Sequence, residues 1–178
     1  MRKLLVLPGN SPRNRQWGEA MVEFFQSDFD EVVMQEYDHW ESGEQVINVP
    51  AELDKIAHTI SHSPEDEWFV CSKSIGTLLT LIAKQEGIIS PKKSLLFGMP
   101  LDLAEEDLFK GDWSALSGYG VPSMAFHNED DPVANCQFSE DKIKEQAPEI
   151  EFVKTPGDTH EYLDFARYGQ IIKNFLLK

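Results

Sequence analysis

The feature that most constrains this chain is a regular alternation of short apolar runs with amphipathic stretches. The runs have the length of buried strands, and apolar residues recur at helical spacing in the stretches between them. The predicted strands are Lys3–Leu7, Glu31–Tyr37, Trp68–Cys71, Ser94–Phe97, Ser123–Phe126 and Glu151–Val153. The predicted helices are Asn14–Gln26, a helix beginning at Pro50, Ile75–Gly87, Asn135–Gln146 and Tyr162–Leu177. Strict alternation with short connections predicts an α/β fold, a doubly wound, mostly parallel six-stranded sheet with helices on both faces.

Length and charge limit the organisation and the partners of the chain. No repeat or linker interrupts its 178 residues, so we expect a single domain, 1–178. The net charge of −15 argues against nucleic acid and anionic membrane surfaces, which bind clustered basic residues. Only five apolar residues precede Pro8, fewer than the roughly 7–15 of a secretory signal, so we expect a cytoplasmic protein. No motif identifies a protein partner.

The first reactive side chain follows the third strand, and in parallel sheets ligands bind at this carboxyl edge. Ser74 has the small residues Ser72 and Gly76 two positions away, as a sharp strand-to-helix turn requires. Ser72 as the nucleophile would instead place the larger Val70 at a crowded position. The helix after Ser74 offers free N–H groups to a developing oxyanion. An ordinary helix-capping serine explains the same pattern equally well.

Two further reactive side chains follow the last two strands. Asp131 comes 57 residues after Ser74, and His160 comes 29 residues after Asp131. A carboxylate in such a position orients an imidazole, which then acts as the base for a serine hydroxyl. Taken singly, Asp131 fits an acidic turn and His160 fits a helix start. Together they predict a Ser74–His160–Asp131 triad that needs no cofactor, with Asp130 as the alternative acid.

The remaining histidines give weaker signals. His58 and His62 have the i, i+4 spacing of a metal-binding pair, but no third ligand follows at a recognisable spacing. We therefore expect a solvated helix face there and no metal. His127 is predicted to shape its turn rather than to react.

Over nearly its whole length the chain resembles the small, nearly capless α/β-hydrolases, in particular the retinoblastoma-binding serine hydrolase group. Ser72–Gly76 resembles the nucleophile elbow of this superfamily, and Leu7–Ser11 resembles its HG-containing loop. His127–Val133 is similar to its H-G-x-x-D-x-x-V turn, and Gly157–His160 is similar to its G-x-x-H turn. Ser72 stands in place of a glycine of the elbow.

This resemblance implies further features of fold and site. The sheet order would be 2-1-3-4-5-6, without the first strands of the larger hydrolases and without a cap domain. The backbone N–H groups of Ile75 and Asn10 would bind the oxyanion. The sequence departs from the pattern at Pro8, which replaces the loop histidine, and at Asn128, which replaces a glycine.

The sequence thus predicts a carboxylesterase-like serine hydrolase that cleaves an ester or thioester of a small acyl substrate. The segment Leu101–Val121 has room for a short helix and a loop, and Phe109 and Trp113 are its candidates for lining a substrate pocket. One alternative is a non-catalytic protein-interaction module on the same fold. Another is a flavodoxin-like or Rossmann nucleotide binder, but the segment 9–12 has one glycine where a phosphate loop needs several.

Overall fold

The computed structural model describes the backbone of residues 1–178 and every side chain except that of residue 166. Six strands form one sheet in the order β2-β1-β3-β4-β5-β6, and every neighbouring pair is parallel. The strands are β1 (Arg2–Leu7), β2 (Glu31–Met34), β3 (Glu67–Lys73), β4 (Ser94–Phe97), β5 (Ser123–Asn128) and β6 (Glu151–Thr155). The parallel six-stranded sheet is the one that the alternating pattern predicts, and its strand order is the one that the resemblance implies.

Helices connect successive strands. They are α1 (Asn14–Phe25), α2 (His39–Ser42), α3 (Val49–Ser61), α4 (Ile75–Gln85), α5 (Leu101–Asp107), α6 (Ser114–Ser117), α7 (Cys136–Gln146) and α8 (Phe165–Leu177). Among the described residues no helix is both long enough and apolar enough to cross a membrane.

Both faces of the sheet are buried, which explains why its central strands are continuous apolar runs. Along β1, Leu4 and Val6 face a cluster with α1 and α8, whereas Leu5 and Leu7 face a cluster with α3 and α4. A third cluster packs α4 to α7 against β4 and β5. The helices therefore fix the carboxyl ends of the central strands from both sides.

Two element boundaries differ from the sequence predictions by three residues, and others differ by one or two. Strand β2 ends at Met34 instead of Tyr37, and the next side chain, Gln35, turns inward to donate to Glu52 (Oε2 at 2.8 Å). The short helix α2 occupies a segment for which the sequence predicts neither a strand nor a helix. Helix α8 begins at Phe165 instead of Tyr162, because Tyr162 has a φ of 55°, outside the helical region.

Candidate active site

The turn between β3 and α4 holds Ser74 in a strained conformation. Its φ of 54° and ψ of −125° lie in a region that residues other than glycine rarely adopt. The Ser74 N–H donates to the carbonyl of Phe97 at 2.9 Å, which ties the turn to the end of β4. Ser74 is half-buried, whereas Ser72 is buried within β3 and directs its hydroxyl to the carbonyl of Leu95. Of the two serines, only Ser74 stands on the sharp turn.

Gly76 lets this turn approach the end of β1. A Cβ atom at this position would lie 2.1 Å from the carbonyl oxygen of Leu7 and 2.7 Å from that of Pro8. No side chain fits in that space, so the requirement for glycine is steric. The contact places Ser74 beside the loop that follows β1.

His160 and Asp131 form a direct hydrogen-bonded pair. The distance from His160 Nδ1 to Asp131 Oδ2 is 2.7 Å, and the distance to Oδ1 is 3.0 Å. The alternative acid, Asp130, is exposed, and its N–H donates to the carbonyl of Gly157. Of the two adjacent acids, the structure therefore places Asp131 against the imidazole.

The Asp131 carboxylate is completely buried and accepts three further hydrogen bonds. Tyr162 donates its hydroxyl to Oδ2 at 2.6 Å, and the N–H groups of Val133 and Ala134 donate to Oδ1 at 2.8 and 3.0 Å. Burial by itself would raise the pKa of Asp131, but the bonds from His160, Tyr162 and the two amides outweigh it and lower the pKa to about 2. The acid is thus held ionised.

This pairing decides which nitrogen of His160 is available. An ionised carboxylate only accepts, so Nδ1 carries the proton and Nε2 of the neutral ring carries the free lone pair. Nε2 is buried and has no hydrogen-bond partner among the described residues. The structure does not join it to Ser74 by a hydrogen bond. Both residues nevertheless contact the end of β4, since a Cβ at Gly98 would lie 2.9 Å from His160 Cε1.

The loop after β1 carries two backbone carbonyls that aromatic side chains hold in place. Tyr37 donates its hydroxyl to the carbonyl of Pro8 at 2.8 Å. The carbonyl of Asn10 accepts from Trp40 Nε1 at 2.8 Å and contacts His39 Nε2 at 2.6 Å. These bonds fix the two peptide groups that flank the Gly9–Asn10 peptide. The N–H of Asn10 in that peptide has no acceptor among the described residues, and neither has the N–H of Ile75.

A cavity of about 480 Å³ opens beside Ser74 and Asn10. Most of its lining is apolar and comes from the segment before α3, from α4 and from α5, including Val49, Leu78 and Leu103. We call it the apolar cavity.

The two aromatic residues that the sequence suggested for a pocket do not line the apolar cavity. Phe109 is buried, and its ring lies 5.4 Å from the ring of Trp113, which packs toward Phe138. Both pack with the cluster of α4 to α7. Ala104 and Leu108 of the same region pack with this cluster too, but they also line the cavity.

A second cavity, of about 560 Å³, opens beside His160. Lys73, the last residue of β3, lines it, and we call it the lysine cavity. Lys73 is only 3% exposed, and its ammonium donates to Asn14 Oδ1. Burial lowers the pKa of Lys73 to about 8, against the opposing attraction of Asp131 and Glu161. Val133 lines both cavities and separates them.

Apart from His160 and His39, the histidines make contacts that leave them no place in the candidate site. His127 accepts from the N–H of Met99 at Nε2 (2.9 Å), and burial lowers the pKa of His127 to about 4. His62 contacts the carbonyl of His58 through Nδ1. Within the described part of the chain, no group of three or more His, Cys, Asp or Glu side chains is placed to hold a metal ion.

Several residues of the site were not found from the sequence. Tyr162 donates to Asp131, Gly98 leaves room for His160 and Tyr162, and Lys73 lines a cavity. Lys73 occupies a variable position of the elbow pattern, and the other two belong to no recognisable motif. For Gly98 the signal was its position directly after β4, where a φ of 55° favours glycine. For Tyr162 and Lys73 the roles depend on contacts with distant segments, which local patterns do not report.

No protein-family model and no curated protein sequence matches the chain. Solved structures do resemble it. Est1E from Butyrivibrio proteoclasticus, with ferulic acid bound, has 13% sequence identity and a TM-score of 0.75, covering 100% of this chain and 90% of that one. The alpha/beta hydrolase domain-containing protein 10 from mouse has 16% identity and a TM-score of 0.70, with 97% and 87% covered. The Pyrococcus furiosus esterase Pf2001 has 15% identity and a TM-score of 0.72, with 97% and 79% covered.

These identities are low, so the similarity concerns the arrangement of the chain. The shared features are the parallel sheet and the helices on its two faces, over nearly the whole of the chain. The protein therefore has the α/β-hydrolase fold.

Proposed function

We propose that the protein is a serine hydrolase that cleaves an ester or thioester bond of a small acyl substrate. The observation that carries this proposal is the hydrogen bond from His160 to Asp131. It leaves the lone pair of Nε2 free at the sheet edge where Ser74 stands on a strained turn. Nucleophilic catalysis by a serine requires these relations together with a hydrogen bond from the serine hydroxyl to the free nitrogen of the histidine.

The reaction proceeds in two halves. In the first, His160 Nε2 takes the proton of the Ser74 hydroxyl as Oγ attacks the acyl carbonyl, and it then protonates the departing oxygen or sulfur. In the second, His160 takes a proton from water, which attacks the acyl-serine and releases the acid, and Ser74 regains its proton. Asp131 stabilises the imidazolium in both halves. All steps use side chains of the chain and water.

The free N–H groups of Ile75 and Asn10 are the proposed oxyanion donors. Backbone donors that are already oriented stabilise developing negative charge without reorganisation, and loss of one typically costs about 10²–10³ in rate. The bonds from Tyr37, His39 and Trp40 to the loop carbonyls support this role, because they restrict the peptide groups on both sides of the Asn10 N–H.

Formation of a hydrogen bond between Ser74 and His160 Nε2 is part of the proposal. Hydrogen bonds between catalytic groups are often long in unliganded enzymes and tighten when substrate binds. We also propose that the chain is related to the retinoblastoma-binding serine hydrolases, on the basis of the motifs that it shares with them.

The apolar cavity is the proposed acyl site. Ser74 and Asn10 both line it, so a carbonyl whose oxygen points to the Asn10 N–H would extend its acyl chain into this space. Its volume and apolar lining favour chains longer than acetyl. We expect p-nitrophenyl butyrate or hexanoate to have a higher kcat/KM than the acetate, which initial rates on a chain-length series would measure.

A fluorophosphonate probe tests the proposal directly, because it reacts with an activated serine. We expect it to label the wild type and Ser72→Ala but not Ser74→Ala. Ser72 is the matched control, since it is a buried serine only two residues away. We expect His160→Gln to label much more slowly, although its Ser74 is intact. Absence of labelling of the wild type between pH 6 and 9 would refute the proposal and favour the non-catalytic interaction module.

A further inference from the structure

Two cavities lie next to the serine turn, because Ser74 lines the apolar cavity and the preceding residue, Lys73, lines the lysine cavity. The proposed oxyanion donor Asn10 faces the apolar cavity, whereas His160 lines the lysine cavity. In acyl transfer the histidine delivers its proton to the leaving group, so the leaving group must lie on the histidine side. The lysine cavity therefore receives the alcohol or thiol part of the substrate.

Lys73 is a buried cation without a carboxylate partner. No acidic oxygen of the described residues lies within 4 Å of its ammonium, and its hydrogen bond is to the neutral Asn14. An ammonium has three N–H donors, so two remain without an acceptor inside the protein. Burying a charge without a partner is costly, and an anion that enters the cavity would offset that cost.

Among the described residues that line the lysine cavity, none of the other charged groups is a cation that is both buried and unpaired. Arg15 is bound by Glu41 and Glu36. Arg13 has no ion pair among the described residues and adds a second free cation at the exposed rim. Glu19 and Glu161 also line the cavity, but neither lies within ion-pair distance of Lys73. Asp131, whose charge also acts on Lys73, is already bound by His160 and Tyr162.

We propose that the lysine cavity is a subsite for an anionic group on the leaving side of the substrate, and that the Lys73 ammonium binds it. The preferred substrate would thus be an ester or thioester of a small alcohol or thiol that carries a carboxylate. This inference rests on the proposed hydrolysis, because it takes the side of the leaving group from the role of His160. It also explains why a cation is kept beside the nucleophile in a chain with a net charge of −15.

A purely structural role for Lys73 makes a different prediction. Asn14 packs against Gly9, so Lys73 also supports the loop that carries the Asn10 N–H. If support of this loop were its only role, loss of the ammonium would slow all esters alike. A subsite instead discriminates between anionic and neutral leaving groups, and the ratio of their rates separates the two roles.

The test compares 3-carboxyphenyl butyrate with 3-carbamoylphenyl butyrate, which differ mainly in the charge of the leaving phenol. We expect the ratio of kcat/KM for the carboxy ester to kcat/KM for the carbamoyl ester to fall about 10- to 100-fold in Lys73→Met and Lys73→Gln. This fold-change corresponds to the loss of one charge-assisted hydrogen bond. Lys92→Met removes the same charge at the opposite edge of the sheet and should leave the ratio unchanged. Thermal unfolding of each variant verifies that it is folded.

An equal ratio in the wild type and both Lys73 variants, with hydrolysis that still depends on Ser74, would overturn the subsite and leave the hydrolase intact. If the wild type hydrolyses neither ester, the proposed function fails instead. Calorimetric binding of 3-hydroxybenzoate and 3-hydroxybenzamide then decides the subsite by itself. Tighter binding of the benzoate to the wild type supports it, and equal affinities refute it.

Discussion

Asp131 accepts hydrogen bonds from four groups, those of His160, Tyr162, Val133 and Ala134, and its carboxylate is fully buried. On the opposite side of the site, by contrast, the Ser74 hydroxyl and the N–H groups of Ile75 and Asn10 have no partner among the described residues. Polar groups are thus satisfied where a geometry must be held, and they are left free where a substrate would supply the missing partners.

The two sides also differ in what holds them. The acid side depends on side-chain hydrogen bonds, whereas the nucleophile side depends on backbone conformation and steric contact at Ser74 and Gly76. Substitutions on the acid side should therefore change the rate and its pH dependence through charge. Substitutions around the loop after β1 should act more weakly, by loosening backbone donors.

The largest effect is expected at the acid itself. Asp131→Asn keeps the shape of the side chain but favours the wrong tautomer of His160, so we expect kcat/KM to fall about 10⁴-fold. Asp130→Asn is the control and should retain activity, because Asp130 is exposed and does not contact the imidazole. The reverse result, with Asp130→Asn inactive and Asp131→Asn active, would assign the acid to Asp130. Steady-state rates of p-nitrophenyl butyrate hydrolysis measure both.

The same substitution has a consequence for stability at low pH. The folded-state pKa of Asp131 is lowered to about 2, so its ionised form contributes stability above its usual pKa that is lost as pH falls toward 2. Two pKa units correspond to roughly 2–3 kcal/mol. We expect urea unfolding of Asp131→Asn to show a shallower loss of stability between pH 4 and pH 2 than the wild type.

An intermediate effect is expected at Tyr162, a positioning residue that shares Oδ2 of Asp131 with His160. Tyr162→Phe removes one bond to a buried charge, which typically contributes 1.5–3 kcal/mol, so we expect kcat/KM to fall about 10- to 100-fold. The acidic limb of the pH–rate profile should move to higher pH, because a carboxylate with fewer donors stabilises the imidazolium more strongly. A loss of rate with an unmoved profile would indicate a merely structural role.

Tyr168→Phe is the matched control for Tyr162. The Tyr168 hydroxyl is buried but has no hydrogen-bond partner among the described residues, so its removal should leave both rate and profile unchanged.

The smallest effect is expected in the loop that carries the Asn10 N–H. Trp40→Phe keeps an aromatic ring beside Tyr37 but removes one of the two contacts to the Asn10 carbonyl, and His39 remains. A net hydrogen bond of 0.5–1.5 kcal/mol predicts a fall in kcat of about 2- to 10-fold, with little change in KM. Trp68→Phe is the control. It also removes an indole N–H, but this N–H donates to the carbonyl of Ser63 at the opposite end of the strands, so kcat should not change.

The sequence predicted the parallel sheet because the signals for its strands and helices are local and repeated, whereas the strand order came from the resemblance to the α/β-hydrolases. Runs such as Ser94–Phe97 are apolar throughout, and a strand buried on both faces requires that composition. The positions of Ser74, Asp131 and His160 were predicted for a related reason. The carboxyl ends of parallel strands meet at one edge, so residues that directly follow strands are brought together even when they are distant in sequence.

What could not be predicted depends on contacts between distant segments. Strand β2 ends at Met34, and the side chain of Gln35 then donates to Glu52. This contact joins residues 17 positions apart, so the local pattern does not predict it. Trp113 and Leu108 are both apolar and lie five positions apart. Both pack against the same core cluster, but only Leu108 also lines the apolar cavity, a difference that tertiary packing decides. The role of Tyr162 has the same origin, since its partner Asp131 lies 31 residues earlier.

At Gly76 the backbone of the serine turn packs directly against the backbone at the end of β1, with no side chain between them. The distance between the serine turn and the neighbouring loop is therefore fixed by backbone contact alone. Elsewhere in the core, one substitution can be compensated by another, because neighbouring side chains change rotamer to fill the space. Gly76 has no side chain that could change rotamer to accommodate a shift. A displacement of β1 against β3 would therefore move the turn that holds Ser74.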